Sequence, residues 1–189
     1  QIDASGLRYT TVSDQLPVGI CGSGILDIVA EMLDNGILDR TGRIRAGHPH
    51  VRFGPQSNLR GELLVASAAV TGHGKDILVS REDVNEIQLA KAAIRAGIDV
   101  LLDEAGLSAA DLAAATDISF IVAGAFGTYI YLPSAIRIGM FPNLPLDRFA
   151  QIGNAAGMGA RQMLLSTERR QAAERIAGRI EYIELANHA

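Results

Sequence analysis

The feature that most constrains this chain is the run Pro17-Val18-Gly19-Ile20-Cys21-Gly22-Ser23-Gly24, which passes directly into Ile25-Leu26-Asp27-Ile28-Val29-Ala30-Glu31-Met32-Leu33. A flexible turn made of glycines and a serine opens what reads as an amphipathic helix. Glycine lets backbone approach a ligand with no Cβ in the way. The first turn of a helix offers unpaired N–H groups and a partial positive charge, which suit an anion. A second turn of this kind, Ala123-Gly124-Ala125-Phe126-Gly127, follows the apolar run Ile118-Ser119-Phe120-Ile121-Val122. Two such loops in one short chain point to a nucleotide held between them.

Composition narrows the function classes. With 189 residues, 48% hydrophobic and 20% charged, the chain is ordinary globular material, sized for one domain or two small subdomains. The net charge of −4 gives no electrostatic reason to expect nucleic acid, which is bound through clustered Lys and Arg. A single cysteine excludes an intramolecular disulfide framework and any cysteine-rich metal or cluster site, and agrees with a reducing cytoplasm. No window has the apolar length of a membrane span, and nothing resembles a signal peptide. The chain begins with Gln1 rather than Met, so a fragment of a longer protein is expected.

Along the chain, the β-branched run Arg8 to Val12 predicts a strand. The apolar spacing of Ile25, Ile28, Val29, Met32 and Leu33 predicts a helix that stops at Asn35-Gly36. Residues 39–76 read as a loop-rich insertion or subdomain, except for a strand from Leu63 to Val70. Ile77 to Val79 is a further strand. Ser80 to Asp83 forms a capping-box-like start for the longest helix, which runs to about Ala105. Ser108 caps a short helix, Leu132-Pro133-Ser134 opens another, and helices follow over Ala155–Leu165 and Thr167–Ala177. Ile180 to Leu185 is expected as a closing strand. Strands alternating with helices indicate an α/β fold, in which ligands gather beyond the carboxyl ends of strands.

Each motif has a plainer reading beside the chemical one. The Gly19–Gly24 turn is neither a P-loop, lacking the following Lys-Ser/Thr, nor a dinucleotide fingerprint, so it binds a ligand or only packs tightly. Cys21 has no neighbouring His or acid to activate it, which favours a small buried apolar role. His48, His50, His73 and His188 show no metal-ligand spacing, and neither a catalytic residue nor a metal site is assigned. Asn85, Gln88 and Lys91 fall near one helix face, either as a solvated stripe or to meet a base, hydroxyl or phosphate. Phe126 stacks on a purine or fills core. Gly153-Asn154-Ala155-Ala156-Gly157 favours close helix packing.

Taken together, these motifs, with Val79–Ile94 and Ile138-Gly139-Met140-Phe141-Pro142, resemble a family: the C-terminal part of the reductive activators of corrinoid proteins. These belong to the acetate kinase/sugar kinase/Hsp70/actin superfamily of ATPases. The resemblance covers most of the chain and is vaguest over residues 39–76. It implies the C-terminal half of an actin-like, ribonuclease-H-like α/β ATPase domain, a mixed sheet flanked by helices. It implies Gly22, Ser23 and Gly24 at the nucleotide, Gly124, Ala125, Phe126 and Gly127 as the adenosine loop, and Gln88 and Lys91 on a helix facing adenine and ribose.

The cofactors so implied are ATP with Mg²⁺, and a [2Fe–2S] cluster in an upstream ferredoxin domain. The implied partner is a corrinoid protein or corrinoid-dependent methyltransferase, whose cobalt returns from Co(II) to Co(I) for methyl transfer; a homodimer is compatible. Neither the Asp-x-Gly-Thr-Thr nor the Asp-x-Gly-Thr-Asn phosphate loop of the family is in this sequence, so the chain is expected to carry the adenosine side of the site alone. A sugar or small-molecule kinase of the same superfamily, or a non-catalytic interaction domain, are the alternatives. No catalytic Asp of a kinase stands out.

Overall fold

The computed structural model describes residues 1–3, 6–55 and 60–185; the side chains of Asp3, Ala125 and Phe126 also lie outside the described part, as does His188. Contacts divide the chain into two units, Gln1–Arg95 with Tyr131–Asn143, and Ala96–Ile130 with Leu144–Ala189.

The first unit begins with a short antiparallel pair, β1 (Ile2–Asp3) and β2 (Gly6–Leu7). Of residues 8–12, expected as a strand, Arg8 exchanges backbone hydrogen bonds with Gln1 at 2.9 Å, but the stretch is not assigned to a strand. The chain instead enters a 3₁₀ turn at Val12–Asp14, where Ser13 and Asp14 adopt φ of 58° and 53°. β-branched residues make a strand only where a sheet edge receives them. Helix α1 spans Gly22–Asp34 and buries Leu26, Val29, Ala30 and Met32, one face of a 3.6-residue period. It stops where Asn35 caps it and Gly36 turns with φ of 66°.

β3 (Val51–Arg52), β4 (Glu62–Ala66) and β5 (Ile77–Ser80) form an antiparallel sheet in that order. Residues 39–76 thus contribute two of its strands, and the strand expected to reach Val70 ends at Ala66 because Ala68–Val70 closes into a 3₁₀ turn. Helix α2 (Arg81–Glu104) belongs to this unit as far as Arg95. Its start is the predicted reciprocal cap: Ser80 Oγ accepts from the Asp83 N–H at 3.1 Å, and Asp83 accepts from the Ser80 N–H at 2.8 Å. Val84 is buried, whereas Leu89, Ile94 and Leu101 of the same helix are exposed. The core of the unit gathers Met32, Ile37, Leu63, Val79 and Val84, each fully enclosed. Helix α5 (Leu132–Arg137) packs on α1, and Arg137 pairs with Asp34 at the surface, where ion pairs add little.

The second unit holds α3 (Ala109–Ala114), β6 (Phe120–Ala123), α4 (Ala125–Tyr129), β7 (Phe149–Gly153), α6 (Ala155–Leu165) and α7 (Thr167–Ala177). β6 and β7 run parallel from Phe120↔Phe149 to Ala123↔Gly153, and the two phenyl rings lie 5.2 Å apart at 55°. Arg148 ties the base of this pair, donating to the carbonyls of Ile118 at 2.7 Å and Leu112 at 3.0 Å. Ile180 to Leu185, expected as a closing strand, pairs with no described strand; Ile180 and Tyr182 are exposed. Among the described residues no helix is long and apolar enough to cross a membrane.

Met32 is fully enclosed between elements that position α1. Met32→Ala should cost about 2–5 kcal/mol of stability in urea unfolding; a cost under 1 kcal/mol would show that the site is not a packed core.

Candidate functional site

Cys21 is the N-cap of α1. Its Sγ accepts from the Gly24 N–H at 3.4 Å and lies 3.5 Å from Ser23 Oγ. The Ser23 hydroxyl, then the Gly24 amide, hold the thiol below its ordinary pKa, against a smaller opposing effect of burial. Against the expectation of a buried apolar residue, Cys21 is exposed. The reason is its position: a cap residue sits at the open end of its helix, with its side chain turned back over the first N–H groups. A Cβ on Gly24 would stand 3.2 Å from Cys21 Sγ, so glycine permits the sulfur to close over the helix end.

This turn borders a cleft of about 710 Å³ within the first unit. Cys21, Ser23 and Gly24 form one edge, and Asp27 and Glu31 continue it along α1. Residues 8–20 and the ends of β4 and β5 complete the wall. Glu31 is engaged, accepting from the Ile2 N–H at 2.9 Å. The Oδ1 of Asp27 is shielded from solvent and has no hydrogen-bond partner among the described residues.

Gln88 and Lys91 line a different and much smaller pocket, of about 50 Å³, beside Val29 and Leu33 of α1. Lys91 Nζ donates to the Ile138 carbonyl at 2.6 Å, satisfying the end of α5. Gln88 rests against Gly42, whose φ of 75° already favours glycine. A Cβ there would collide with the Gln88 amide and come within 2.8 Å of Arg81 Nη1. The turn that carries Gly42 is held by Asp39, whose Oδ1 accepts from Thr41 Oγ1 at 2.7 Å and from the N–H groups of Thr41 and Arg43 at 2.8 and 3.0 Å. The Thr41 hydroxyl and these amides lower the Asp39 pKa to about 2.

In the second unit, Gly124 turns at the carboxyl end of β6 with φ of 103° and donates its N–H to the Gly153 carbonyl at 2.7 Å. The two glycine motifs singled out in the sequence are therefore bonded across the parallel pair. Gly127 packs directly on β6, where a Cβ would stand 2.7 Å from Val122 Cγ1. Gln151 Nε2 donates to the carbonyls of Gly127 and Ile130, and Thr128 Oγ1 donates to the Gly124 carbonyl at 3.3 Å. At β7, Asn154 caps α6 by accepting from the Gly157 N–H at 2.9 Å. The Gly124 and Gly153 turns thus stand at the carboxyl ends of parallel strands, where open α/β sheets collect ligands, whereas the Gly19–Gly24 turn follows no strand.

The structure therefore gathers Cys21, Ser23 and Gly24 on one cleft and sets Gln88 and Lys91 in another pocket of the same unit. Gly22 stands in the first turn of α1, and Gly124 to Gly127 belong to the second unit. The Ala125 and Phe126 side chains lie outside the described residues. Two contributors escaped the sequence reading. Asp27 carried a helical-face signal only, and Gln151 had none. No group of acidic, His or Cys side chains among the described residues could hold a metal ion.

The mixed α/β arrangement of short sheets and helices is that of an ASKHA domain. More particularly, the chain belongs to the family described as the C-terminal domain of RACo, the ASKHA domain, whose model matches residues 1–189. It is 35% identical over 186 residues to the corrinoid activation enzyme RamQ of Eubacterium limosum, covering 95% of this chain and 30% of that protein. It is 27% identical over 152 residues to the [Co(II) methylated amine-specific corrinoid protein] reductase of Methanosarcina barkeri, covering 80% of this chain and 23% of the relative. A solved reductive activator for corrinoid, iron-sulfur protein superposes with a TM-score of 0.82 at 34% identity, over 96% of this chain and 28% of that one. The chain thus spans less than a third of the length of these proteins.

The Asp39 turn has a pH signature. A carboxyl whose folded pKa is about 2 against an ordinary 3.8 supports its turn fully above the higher value and loses that support as pH falls through the lower. The amide resonances of Thr41 and Arg43 should titrate with a midpoint near 2, and Asp39→Asn should abolish the transition. A midpoint near 3.8 would show that the turn is not held by this carboxylate.

Proposed function

We propose that this chain supplies nucleotide contacts within an ATP-dependent reductive activator, which returns the cobalt of a partner corrinoid protein from Co(II) to Co(I). The observation that carries the reading is the Gly22-Ser23-Gly24 turn at the start of α1, opening on the cleft of about 710 Å³. A cleft of that size accommodates a nucleotide. The N–H groups of Gly22 and Ser23 and the Ser23 hydroxyl are the donors offered to it, the Gly24 N–H being taken by Cys21 Sγ. The relatives named for corrinoid activation and corrinoid-protein reduction support the reaction class. In the second unit, the Gly124–Gly127 turn serves as the adenosine loop, held in shape by Gln151. Gln88 and Lys91, expected to face adenine and ribose, line the smaller pocket and not this cleft, and Lys91 is held by the Ile138 carbonyl, so no contact in the cleft is assigned to them.

The residues present divide the implied cofactors. No group of three or more acidic, His or Cys side chains among the described residues is arranged for a metal, and Mg²⁺ would fit as an ion carried largely by waters and the nucleotide phosphates. A plant-type [2Fe–2S] cluster takes four cysteine thiolates, whereas this chain has one cysteine, so the cluster does not fit here and no electron step is routed through these residues. The chain's own part is to bind and orient the nucleotide. The single thiol fits a reducing cytoplasm, and the corrinoid protein is the partner.

In the longest natural polypeptide that carries this chain, Ser23→Arg should weaken ATP binding by tenfold or more, because a long side chain fills the edge of the cleft. Unchanged affinity would sink the nucleotide assignment. Absorption spectra of a corrinoid partner should pass from Co(II) to Co(I) only when ATP and a reductant are both present. Co(II) persisting with every corrinoid protein tested would overturn the activator reading.

A further inference from the structure

The Asp39 turn carries charges for which the nucleotide cleft has no use. Leu38 and Ile44 pair across it as an antiparallel bridge, and the Arg45 N–H donates to the Ile37 carbonyl at 2.7 Å. Ile37, Leu38 and Ile44 are all buried. Side chains alternate along extended backbone, so Arg43 and Arg45 stand outward on either side of buried Ile44, with Arg40 at the turn. All three arginines are exposed. The Asp39 carboxylate holds the turn from within, and Arg81 of α2 donates to the Thr41 carbonyl at 3.1 Å. The charges therefore sit on a fixed support.

Their lack of partners sets them apart. Arg52 pairs with Asp76, Arg60 with Glu82 and Arg137 with Asp34. Among the described residues, the side chains of Arg40, Arg43 and Arg45 make no hydrogen bond or ion pair, and Arg45 acts on Asp39 through space alone. Residues 39–54 hold four arginines and one acid in a chain whose net charge is −4. A local positive patch thus stands on an acidic molecule.

Charge and extent decide what fits it. Arg52 and Arg60, the next arginines along the chain, are already neutralised, which confines the free charge to three guanidinium groups. Nucleic acid is held by a longer basic track. Guanidinium groups in this number match carboxylates on a protein surface. A partner that is reduced and released at each turnover also needs a small, charge-steered interface rather than a large apolar one. We propose that Arg40, Arg43 and Arg45 form a docking patch for an acidic face of the corrinoid protein. This rests on the activator reading of the chain and adds to it the surface that receives the partner.

The experiment measures association of a corrinoid protein with the longest natural polypeptide that carries this chain, by stopped flow at low and at high salt. The parent should associate about tenfold faster at low salt, as a charge-steered encounter does. Arg40→Glu, Arg43→Glu and Arg45→Glu together should slow association at low salt by about tenfold and converge on the parent at high salt. Glutamine at the same positions should give an intermediate loss. Because these side chains are exposed and have no hydrogen-bond or ion-pair partner, both variants should melt like the parent and keep ATP affinity within about twofold. In reduction of Co(II) to Co(I), KM for the corrinoid protein should rise while the rate at saturation holds.

Salt-independent association, or an unchanged rate after charge reversal, would overturn the docking patch. So would equal slowing by Arg161→Glu, Arg169→Glu and Arg175→Glu, the same charge change on exposed arginines of the second unit, since net charge alone would then act. Loss of self-association by the charge-reversed protein, with corrinoid-protein association intact, would assign the patch to a second copy of this chain and overturn it too. If the parent reduces a corrinoid protein and the patch variants behave as the parent does, the activator reading stands and the patch falls. If no corrinoid protein associates with the parent, both fall together.

Discussion

The cleft proposed for a nucleotide depends on the two-sidedness of α1. Leu26, Val29, Ala30 and Met32 anchor one side in the core, and the 3.6-residue period then sends Ser23, Asp27 and Glu31 to the other. The helix cannot rotate to hide Asp27 without exposing Met32, which is fully enclosed. Burial of one face thus fixes the chemistry of the opposite face. The Cys21 cap and the missing Cβ of Gly24 set where that face begins. A thiol is a weaker acceptor than the usual Ser or Asp cap, so this helix start retains more unsatisfied donor character than most.

The second unit shows a different use of the same residue type. Gly124 and Gly153 are needed because their backbones take positive φ, and Gly127 because Val122 leaves no room for a side chain. Their carbonyls and N–H groups are tied together across β6 and β7 by the Gly124–Gly153 bond and by Gln151. A turn held by so many backbone bonds presents a fixed surface, which is what a recognition loop requires.

Local signals were legible in the sequence, and non-local ones were not. The Ser80–Asp83 and Ser108 caps, the Asn35-Gly36 stop and the helices around them follow from side chains within a few residues of one another. The stretches expected as strands at Arg8–Val12 and Ile180–Leu185 have the right residue types but are not strands among the described residues, since strand formation depends on a sheet edge that no short window can reveal. The glycine turns were legible as candidate loops. The buried Oδ1 of Asp27, without a hydrogen-bond partner among the described residues, was not, because it depends on what the rest of the chain places around α1. Gln151 was invisible for the same reason: its role exists only once β7 lies beside β6. The resemblance to corrinoid-protein activators rested on several short motifs in order, and the family match over residues 1–189 bears it out.

The central claim is the proposal that the Gly22–Gly24 turn of the first unit opens a nucleotide site. Amide hydrogen exchange of the natural polypeptide with and without ATP tests it most directly. The account predicts slowed exchange at Gly22, Ser23 and Gly24, with the Asp39 turn unchanged. Unaltered exchange at this turn under saturating ATP would contradict it.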